Sequence, residues 1–483
     1  MIFRDSDAKA GAFGKLGKFT KIRKLRKVRK LRKPRKPRKP QPKGTVVVMY
    51  GRSLMSLVIA HSLGKRGYEV IGCDDVDLTV LSFSRYVKKN FVHAPLDGDR
   101  EVFLSDLEAK LKRRKPSDGR PYILMPVFRE TEIIAQYRER FEQFMQVAAP
   151  DFHAISKVHP KDQLVPTAES LGVRIPRTRV VPGQGQPGEQ PLNIEELTRG
   201  MEFPLLIKPA DEVGGRGIEK VMNATHLSRS LEYARKYFPG ELLLQEFVPG
   251  EDYCLAVLFS KGELRASMAY KNIHRFPYES GAGSLRETVD ETAFIPSTKR
   301  LLGPLGWNGV AELDFRWNGR ADSEPYLIEV NPRFWAGLFQ SVESGVDFPL
   351  LLLSLTLSGD VEPQGRIGLG KRTKIPGLWL LSAVQDVAAS DEGFSQLSDV
   401  WDDAQSRIQN RELKEAFSVL SGSVESGIGL RALISRLRLI VREGRAAKND
   451  VFYRDDPFIV LGIMFILGSL IRHRSLPPEI RSR

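Results

Sequence analysis

The sequence predicts a parallel α/β layer, then a strand-rich α+β region, then a mostly helical C-terminal stretch. Three observations carry this. Residues 45–150 alternate short β-branched runs with segments of helical spacing. Residues 203–335 are strand-like and punctuated by glycine, and residues 350–450 return to helical character with little that marks chemistry. A chain of 483 residues, 41% hydrophobic, is long enough for roughly three units of about 150 residues.

The N-terminal residues 1–43 stand apart. Between Lys15 and Lys43 there are 16 lysines and arginines and no acid, so removing them from the net charge of +15 leaves the remainder at −1. The high pI therefore belongs to a tail. Prolines at 34, 37, 40 and 42 oppose helix, and like charges repel, so the tail is read as disordered and polybasic. A solvated tail is the first reading, an anionic membrane surface the second, and nucleic acid the least favoured partner. Two cysteines, Cys73 and Cys254, make no disulfide framework, which points to a reducing cytoplasm.

The elements follow in order. Thr45–Tyr50 reads as a buried strand, Gly51–Ser53 as a turn, Leu54–Lys65 as a helix ended by Gly67, and Tyr68–Gly72 as a second strand. Asp74 and Asp75 after it are read as a solvated strand end. A helix over Glu101–Arg113, a strand over Tyr122–Pro126 and a helix over Glu130–Met145 complete a Rossmann-like layer at residues 44–150. The first turn lacks Gly-x-Gly-x-x-Gly, which argues against a dinucleotide. A helix over Lys161–Leu171 opens the next domain, 151–350. The helical region is set at 351–450. Residues 451–483 contain an apolar run, Phe458–Ile471, of 14 residues, short of the roughly 20 that span a bilayer. It is read as a core helix or an interfacial attachment beside Arg472-His473-Arg474.

Chemistry concentrates on two strands. In Tyr326-Leu327-Ile328-Glu329-Val330-Asn331, Glu329 and Asn331 are two apart and share a face. In Gly309-Val310-Ala311-Glu312-Leu313-Asp314-Phe315, Glu312 and Asp314 do the same. Carboxylates on apolar strands are costly to bury unless paired or bound to a metal, and carboxylates with an amide oxygen suit Mg²⁺. Edge strands with solvated acids would look alike. Upstream, the strand Phe203–Pro209 carries Lys208, and Gly214-Gly215-Arg216-Gly217 follows six residues later. Glycine-loop amides and a lysine charge together suit phosphate. Leu242–Tyr253 runs an apolar strand through Gln245-Glu246 into a Pro-Gly bend that could form an adenine slot.

In this order, the lysine strand, glycine loop, Gln-Glu hinge, Glu-Leu-Asp-Phe strand and Glu-Val-Asn-Pro-Arg-Phe-Trp run resemble the ATP-grasp superfamily. The nearest likeness is to its carbamoyl-phosphate-synthetase-like and carboxylate–amine ligase branch, over residues 45–345. The resemblance implies an α/β and α+β chain: a Rossmann-like pre-ATP-grasp domain, then an ATP-grasp fold with its lid at about 160–245 and its metal-binding part at about 246–350. It implies ATP and Mg²⁺ (or Mn²⁺) as cofactors. Lys161 and Lys208 would contact phosphates, with Gly214, Gly215 and Gly217 closing over them. Glu246 and Val248 would hold adenine, and Glu251 or Asp252 the ribose. Asp314, Glu329 and Asn331 would bind metal. Arg333 would stabilise the transferring phosphoryl group, and Arg275, in the loop Arg275–Ser284, would face a substrate carboxylate. The expected reaction activates a small-molecule carboxylate as an acyl phosphate and joins it to an amine, or less readily a thiol. The alternative is a non-catalytic nucleotide-binding scaffold at the membrane. A cytoplasmic location, peripheral to the inner membrane face if the tail and residues 458–471 attach there, completes the expectation. Arg216 and the Tyr50-Gly51-Arg52 turn depart from the family pattern.

Overall fold

The computed structural model describes residues 41–183, 192–212, 217–238, 240–276, 282–365, 367–375 and 444–458, with single positions at 379, 382, 407, 438 and 442. The tail before residue 41, Gly214, Gly215, Arg216 and the apolar run after Phe458 lie outside them. Among the described residues, no helix is long and apolar enough to cross a membrane.

The first sheet is parallel. It comprises β1 (Thr45–Val48), β2 (Glu69–Asp74), β3 (Val87–Val92), β4 (Tyr122–Met125) and β5 (Gln146–Val147), in the order β3-β2-β1-β4-β5. All four residues of β1 are buried because both sheet faces are covered. Val47 packs in a core with Phe103 and Leu107 of the helix Arg100–Lys112. Val46 and Val48 pack on the other face with Leu57 and Ile59 of the helix Leu54–Lys65. That helix starts where the Ser53 side chain accepts from the Met55 amide. The strand order reverses between β1 and β4, which opens a crevice lined by Tyr50, Arg52, Phe128, Arg129 and Glu130.

Two expectations for this layer need correction. Asp74 is not a solvated strand end: it is 2% exposed, and the Arg52 guanidinium binds it, with Nε donating to Oδ1 at 2.9 Å. Burial is possible because the positive charge of the divergent turn compensates it. The helix expected over Glu130–Met145 is two short helices, Glu130–Gln136 and Arg138–Glu142, broken at Tyr137 (φ −108°, ψ 28°).

The second sheet is antiparallel. It comprises β6 (Thr178–Val181), β7 (Leu205–Pro209), β8 (Glu219–Val221) and β9 (Leu242–Glu246), ordered β6-β9-β7-β8. The helix Ala224–Tyr237 covers one side, burying Leu227 and Leu231 against Leu205, Ile207 and Leu244.

The third sheet holds most of the chemistry. It comprises β10 (Glu251–Ser260), β11 (Glu263–Phe276), β12 (Ala282–Val289), β13 (Gly309–Trp317), β14 (Tyr326–Asn331), β15 (Arg372–Lys374) and β16 (Lys448–Asn449), ordered β14-β13-β10-β11-β12-β15-β16. Its strand periodicity separates two faces. Tyr253, Leu255, Leu313 and Phe315 face one core with Phe294. Cys254, Ala256, Met268 and Tyr270 face another, with Phe334, Trp335 and the helix Phe348–Ser358. The mostly helical expectation for 351–450 is corrected at β15 and β16. These strands join the sheet because Leu285, Arg286 and Glu287 of β12 offer a free edge to Lys374, Thr373 and Arg372. Most of the rest of that region is outside the described residues.

Residues 444–458 tie the third sheet to the first layer. Val451 is buried in the shared core. Asp456 accepts from Ser84 Oγ at 2.5 Å and from the Arg85 amide at 3.0 Å. Asp455 accepts from Tyr86 Oη at 2.8 Å and lies 3.0 Å from His61 Nε2, whose ring stacks on Tyr453.

Candidate active site

One row of side chains crosses five strands of the third sheet. The register sets Glu329 opposite Asp314, Asp314 opposite Cys254, Cys254 opposite Tyr270 and Tyr270 opposite Thr288. Asn331 stands opposite Glu312 in the adjacent row. Glu329 and Asn331 thus meet Asp314 and Glu312 on one face, as the spacing of two predicts. A bulge follows at Asp314/Phe315, where Phe315 pairs with Leu327 and Ile328 is the extra residue.

The acids crowd one another. Single atoms of Cys254, Glu312 and Asp314 lie within 4.8 Å of each other. Burial, then the charge of Glu329, pushes the Asp314 carboxyl up from its usual range. Burial, then Asp314, does the same to Glu312, and Tyr270 Oη donates to Glu312 Oε1. Asn331 Nδ2 donates to Asp314 Oδ2 at 3.3 Å, and Arg333 Nη2 donates to Asn331 Oδ1 at 2.9 Å. The Arg333 guanidinium lies 4.4 Å from the centre of the Phe128 ring, at the crevice of the first sheet. Clustered carboxyl oxygens with raised pKa values suit a hard divalent cation, which would relieve the repulsion that helps raise them.

Two buried lysines approach the same acids. Lys161 opens the helix Lys161–Ser170; its Nζ is 3.5 Å from Glu329 Oε1 and donates to the Glu212 carbonyl at 2.6 Å. Lys208 on β7 is 7% exposed and donates to Gln245 Oε1 at 2.7 Å. Gln245 Nε2 donates in turn to Thr178 Oγ1 at 2.8 Å, which leaves its carbonyl oxygen for the ammonium. Burial pulls the Lys208 ammonium down to about 8, against the opposing pull of Glu329. The Gln245 carbonyl is a neutral acceptor, so the ammonium keeps its charge for an incoming anion.

The remaining expected residues are placed as follows. Glu246 ends β9; its amide donates to the Arg177 carbonyl at 2.9 Å. The Val248 carbonyl accepts from Arg316 Nε at 3.2 Å. Asp252 is on the site face and is held by Arg316 Nη1 and Arg275 Nη1, each at 2.9 Å. Glu251 does not join it: one residue out of phase, it faces the other side and pairs with Lys271 at 2.6 Å. Gly217 has φ +73°, and a Cβ there would come within 2.6 Å of Phe238 and 2.7 Å of Pro209, so this glycine has a packing role. Gly214 and Gly215 lie outside the described residues. Sequence reasoning did not single out Arg316, although its position two after Asp314 puts it on the same face. Gln245 was read only as part of a hinge.

Comparisons with known proteins bear on this arrangement. Residues 168–337 match a family model described as the ATP-grasp domain. A D-alanine–D-alanine ligase from Ectopseudomonas mendocina is 26% identical over 214 residues, 41% of this chain and 63% of the ligase. The large chain of carbamoyl phosphate synthase from Thermus thermophilus is 25% identical over 204 residues, 40% of this chain and 19% of that one. The chain thus spans less than two thirds of these relatives. Among solved structures, a biotin carboxylase from Campylobacter jejuni, crystallised as a β-γ-ATP complex, superposes with a TM-score of 0.54 at 15% identity. That superposition covers 68% of this chain and 74% of the carboxylase, a likeness of fold.

Proposed function

From the ATP-grasp domain that this chain carries at residues 168–337, we propose that it is a ligase that activates a carboxylate with Mg-ATP and joins it to an amine. One observation carries the reading. The Glu329–Asp314 pair, with Asn331, faces Lys161 and Lys208. Acids grouped on one strand pair suit a metal, and two buried lysines beside them suit the phosphates that share it.

Magnesium held by Asp314, Glu329 and Asn331 would supply charge neutralisation between the β- and γ-phosphates. Lys161 and Lys208 hold the phosphate oxygens with two buried positive charges. Arg333, fixed by Asn331 and resting on Phe128, is aimed where the transferring phosphoryl group gains charge. A substrate carboxylate oxygen attacks the γ-phosphorus, the β–γ bridging bond breaks, and ADP leaves with an acyl phosphate formed. An amine then forms the amide and expels inorganic phosphate. Glu246 and Val248 are assigned to adenine, Asp252 rather than Glu251 to the ribose side, and Arg275 to the substrate side. The E. mendocina relative, named for joining two amino acids, supports carboxylate–amine chemistry.

The test is a coupled ADP-release screen of organic acids and amino acids, alone and with amines, followed by trapping with hydroxylamine. The reading predicts acid-dependent ADP release and a hydroxamate of the same acid. ADP binding with no release for any acid would support the scaffold alternative instead.

A further inference from the structure

A fully buried arginine on the site face has an edge with no hydrogen-bond partner among the described residues. Arg286 on β12 stands opposite Asn272 on β11 and Thr373 on β15. Its Nη1 donates to Asp450 Oδ2 at 2.8 Å. Its Nε and Nη2 have no hydrogen-bond partner among the described residues, and neither do Asn272 Oδ1, Thr373 Oγ1 and Asp450 Oδ1. Buried polar atoms are nearly always paired, so unpaired atoms on three neighbouring strand positions and Asp450 call for a ligand.

The chemistry of the free edge is specific. Nε and Nη2 present two parallel N–H groups, the side-on fork that takes a carboxylate. This chain uses the same edge elsewhere. Arg265 places Nε and Nη2 on the two oxygens of Asp360 at 2.8 and 2.9 Å, and Arg320 does so on Asp322 at 2.9 and 2.7 Å. At Arg286 the same edge is buried and, among the described residues, has no carboxylate hydrogen-bonded to it. Beside it are two unpaired acceptors, Asp450 Oδ1 and Asn272 Oδ1. A plain carboxylate would satisfy the donors yet leave both acceptors unpaired beside a new negative charge. A neighbouring ammonium satisfies them.

We propose that Arg286, Asn272 and Asp450 form a subsite for an α-amino acid that serves as the amine substrate, its α-carboxylate on the Arg286 edge and its amino group between Asp450 and Asn272. This rests on the ligase reading above and names a substrate class for it. Asn272 links the subsite to the acids: its Nδ2 donates to Cys254 Sγ at 3.4 Å, and Cys254 stands opposite Asp314. Asn272 is the half-exposed member and therefore the way in; Arg286 and Asp450 close the far end. Gly283 keeps the backbone close, since a Cβ there would lie 1.9 Å from Asn272 Oδ1. Recognition of one substrate then depends on the segment 444–458 that carries Asp450.

The test compares wild type, Arg286→Lys and Asn272→Ala. Lysine keeps the charge beside Asp450 and loses the fork; the second variant, at a half-exposed position, protects against a folding failure in the first. The probes are free amino acids, the matching acids without the α-amino group, and the matching amines without the carboxylate. With the acid that supports ADP release in the screen present, the expected results are amide product with amino acids and not with either analogue set, a KM for the amino acid raised about ten- to hundredfold in Arg286→Lys, and unchanged ADP binding. A smaller rise is expected in Asn272→Ala. Equal use of the amines without the carboxylate, or an unchanged KM in both variants, overturns the subsite and leaves the ligase reading standing. If wild type releases no ADP with any acid, the ligase reading fails. The subsite is then judged by melting: amino acids should raise the wild-type melting temperature and not that of Arg286→Lys, and no rise in wild type overturns it.

Discussion

Asp314 and Glu329 face each other across the β13–β14 ladder, and Lys161 Nζ lies 3.5 Å from Glu329 on their open side. Two acids in register beside a buried lysine are a charged arrangement that a nucleotide and its metal would complete. Without the metal it is under electrostatic stress, and that stress has measurable consequences.

The first concerns stability and metal. The folded state raises the Asp314 carboxyl above its unfolded value, mainly through burial and secondly through Glu329. A raised acid binds more protons folded than unfolded. Metal-free stability therefore falls as pH rises from the ordinary carboxylate range through the folded pKa. Asp314→Asn, which carries no charge, is expected to melt above wild type at pH 8 in chelator, by about 1–3 kcal/mol. Magnesium should stabilise wild type more than the variant. Calorimetric melting with and without magnesium measures both; a variant that melts below wild type in chelator would contradict the account.

The second concerns Lys208. Burial lowers its ammonium to about 8, so its charge is lost as pH rises through that value. The groups that face it are Glu329, which opposes the shift, Lys161 and Arg316, which add to it, and Asp252. ADP affinity is expected to weaken as pH rises from 7 to 9 in wild type. In Lys208→Arg, whose guanidinium stays protonated, this inflection should disappear even if affinity is lower throughout. Titration calorimetry across this range is the check.

The third concerns Gln245, whose carbonyl holds Lys208 while its amide is anchored on Thr178. Gln245→Leu leaves the buried ammonium without that acceptor. A loss of about 2 kcal/mol in stability and a weaker ADP affinity are expected. Urea unfolding and ADP titration report the two effects separately, and unchanged values in both would remove Gln245 from the site.

The strand pattern made much of this legible. A spacing of two put Glu329 with Asn331 and Glu312 with Asp314, and the ladder joined the pairs. The helix Leu54–Lys65 and the strand Tyr326–Asn331 coincide with their expected bounds, because the Gly51–Ser53 turn and helical spacing mark the first and alternation marks the second. Other features depended on contacts between distant segments. Asp74 reads as solvated until Arg52 is known to fold back on it. Glu251 and Asp252 are equivalent candidates until the register of β10 separates their faces. The strand Arg372–Lys374 is three residues long and has no periodicity to detect; its conformation comes from the edge of β12. Asp450 carries no sequence signal, and only the fold brings it to Arg286, 164 residues away.

The fourth prediction follows from the segment that holds Asp450. Asp456 accepts from Ser84 and Arg85, and it is 1% exposed. Asp456→Ala leaves one buried and one partly buried donor unpaired and is expected to cost about 2–3 kcal/mol. Because Asp450 is six residues earlier on the same segment, the KM for the substrate bound at Arg286 should also rise, with ADP affinity unchanged. Loss of stability alone would confine the segment to a structural role.

The central claim is that Asp314 and Glu329 hold the metal through which ATP is used. Substrate-dependent ADP release by Asp314→Ala/Glu329→Ala, compared with wild type at matched protein folding, tests it most directly. Release is expected to fall by at least about a thousandfold and not to be restored by raising magnesium. Release near the wild-type rate in the folded double variant would contradict it.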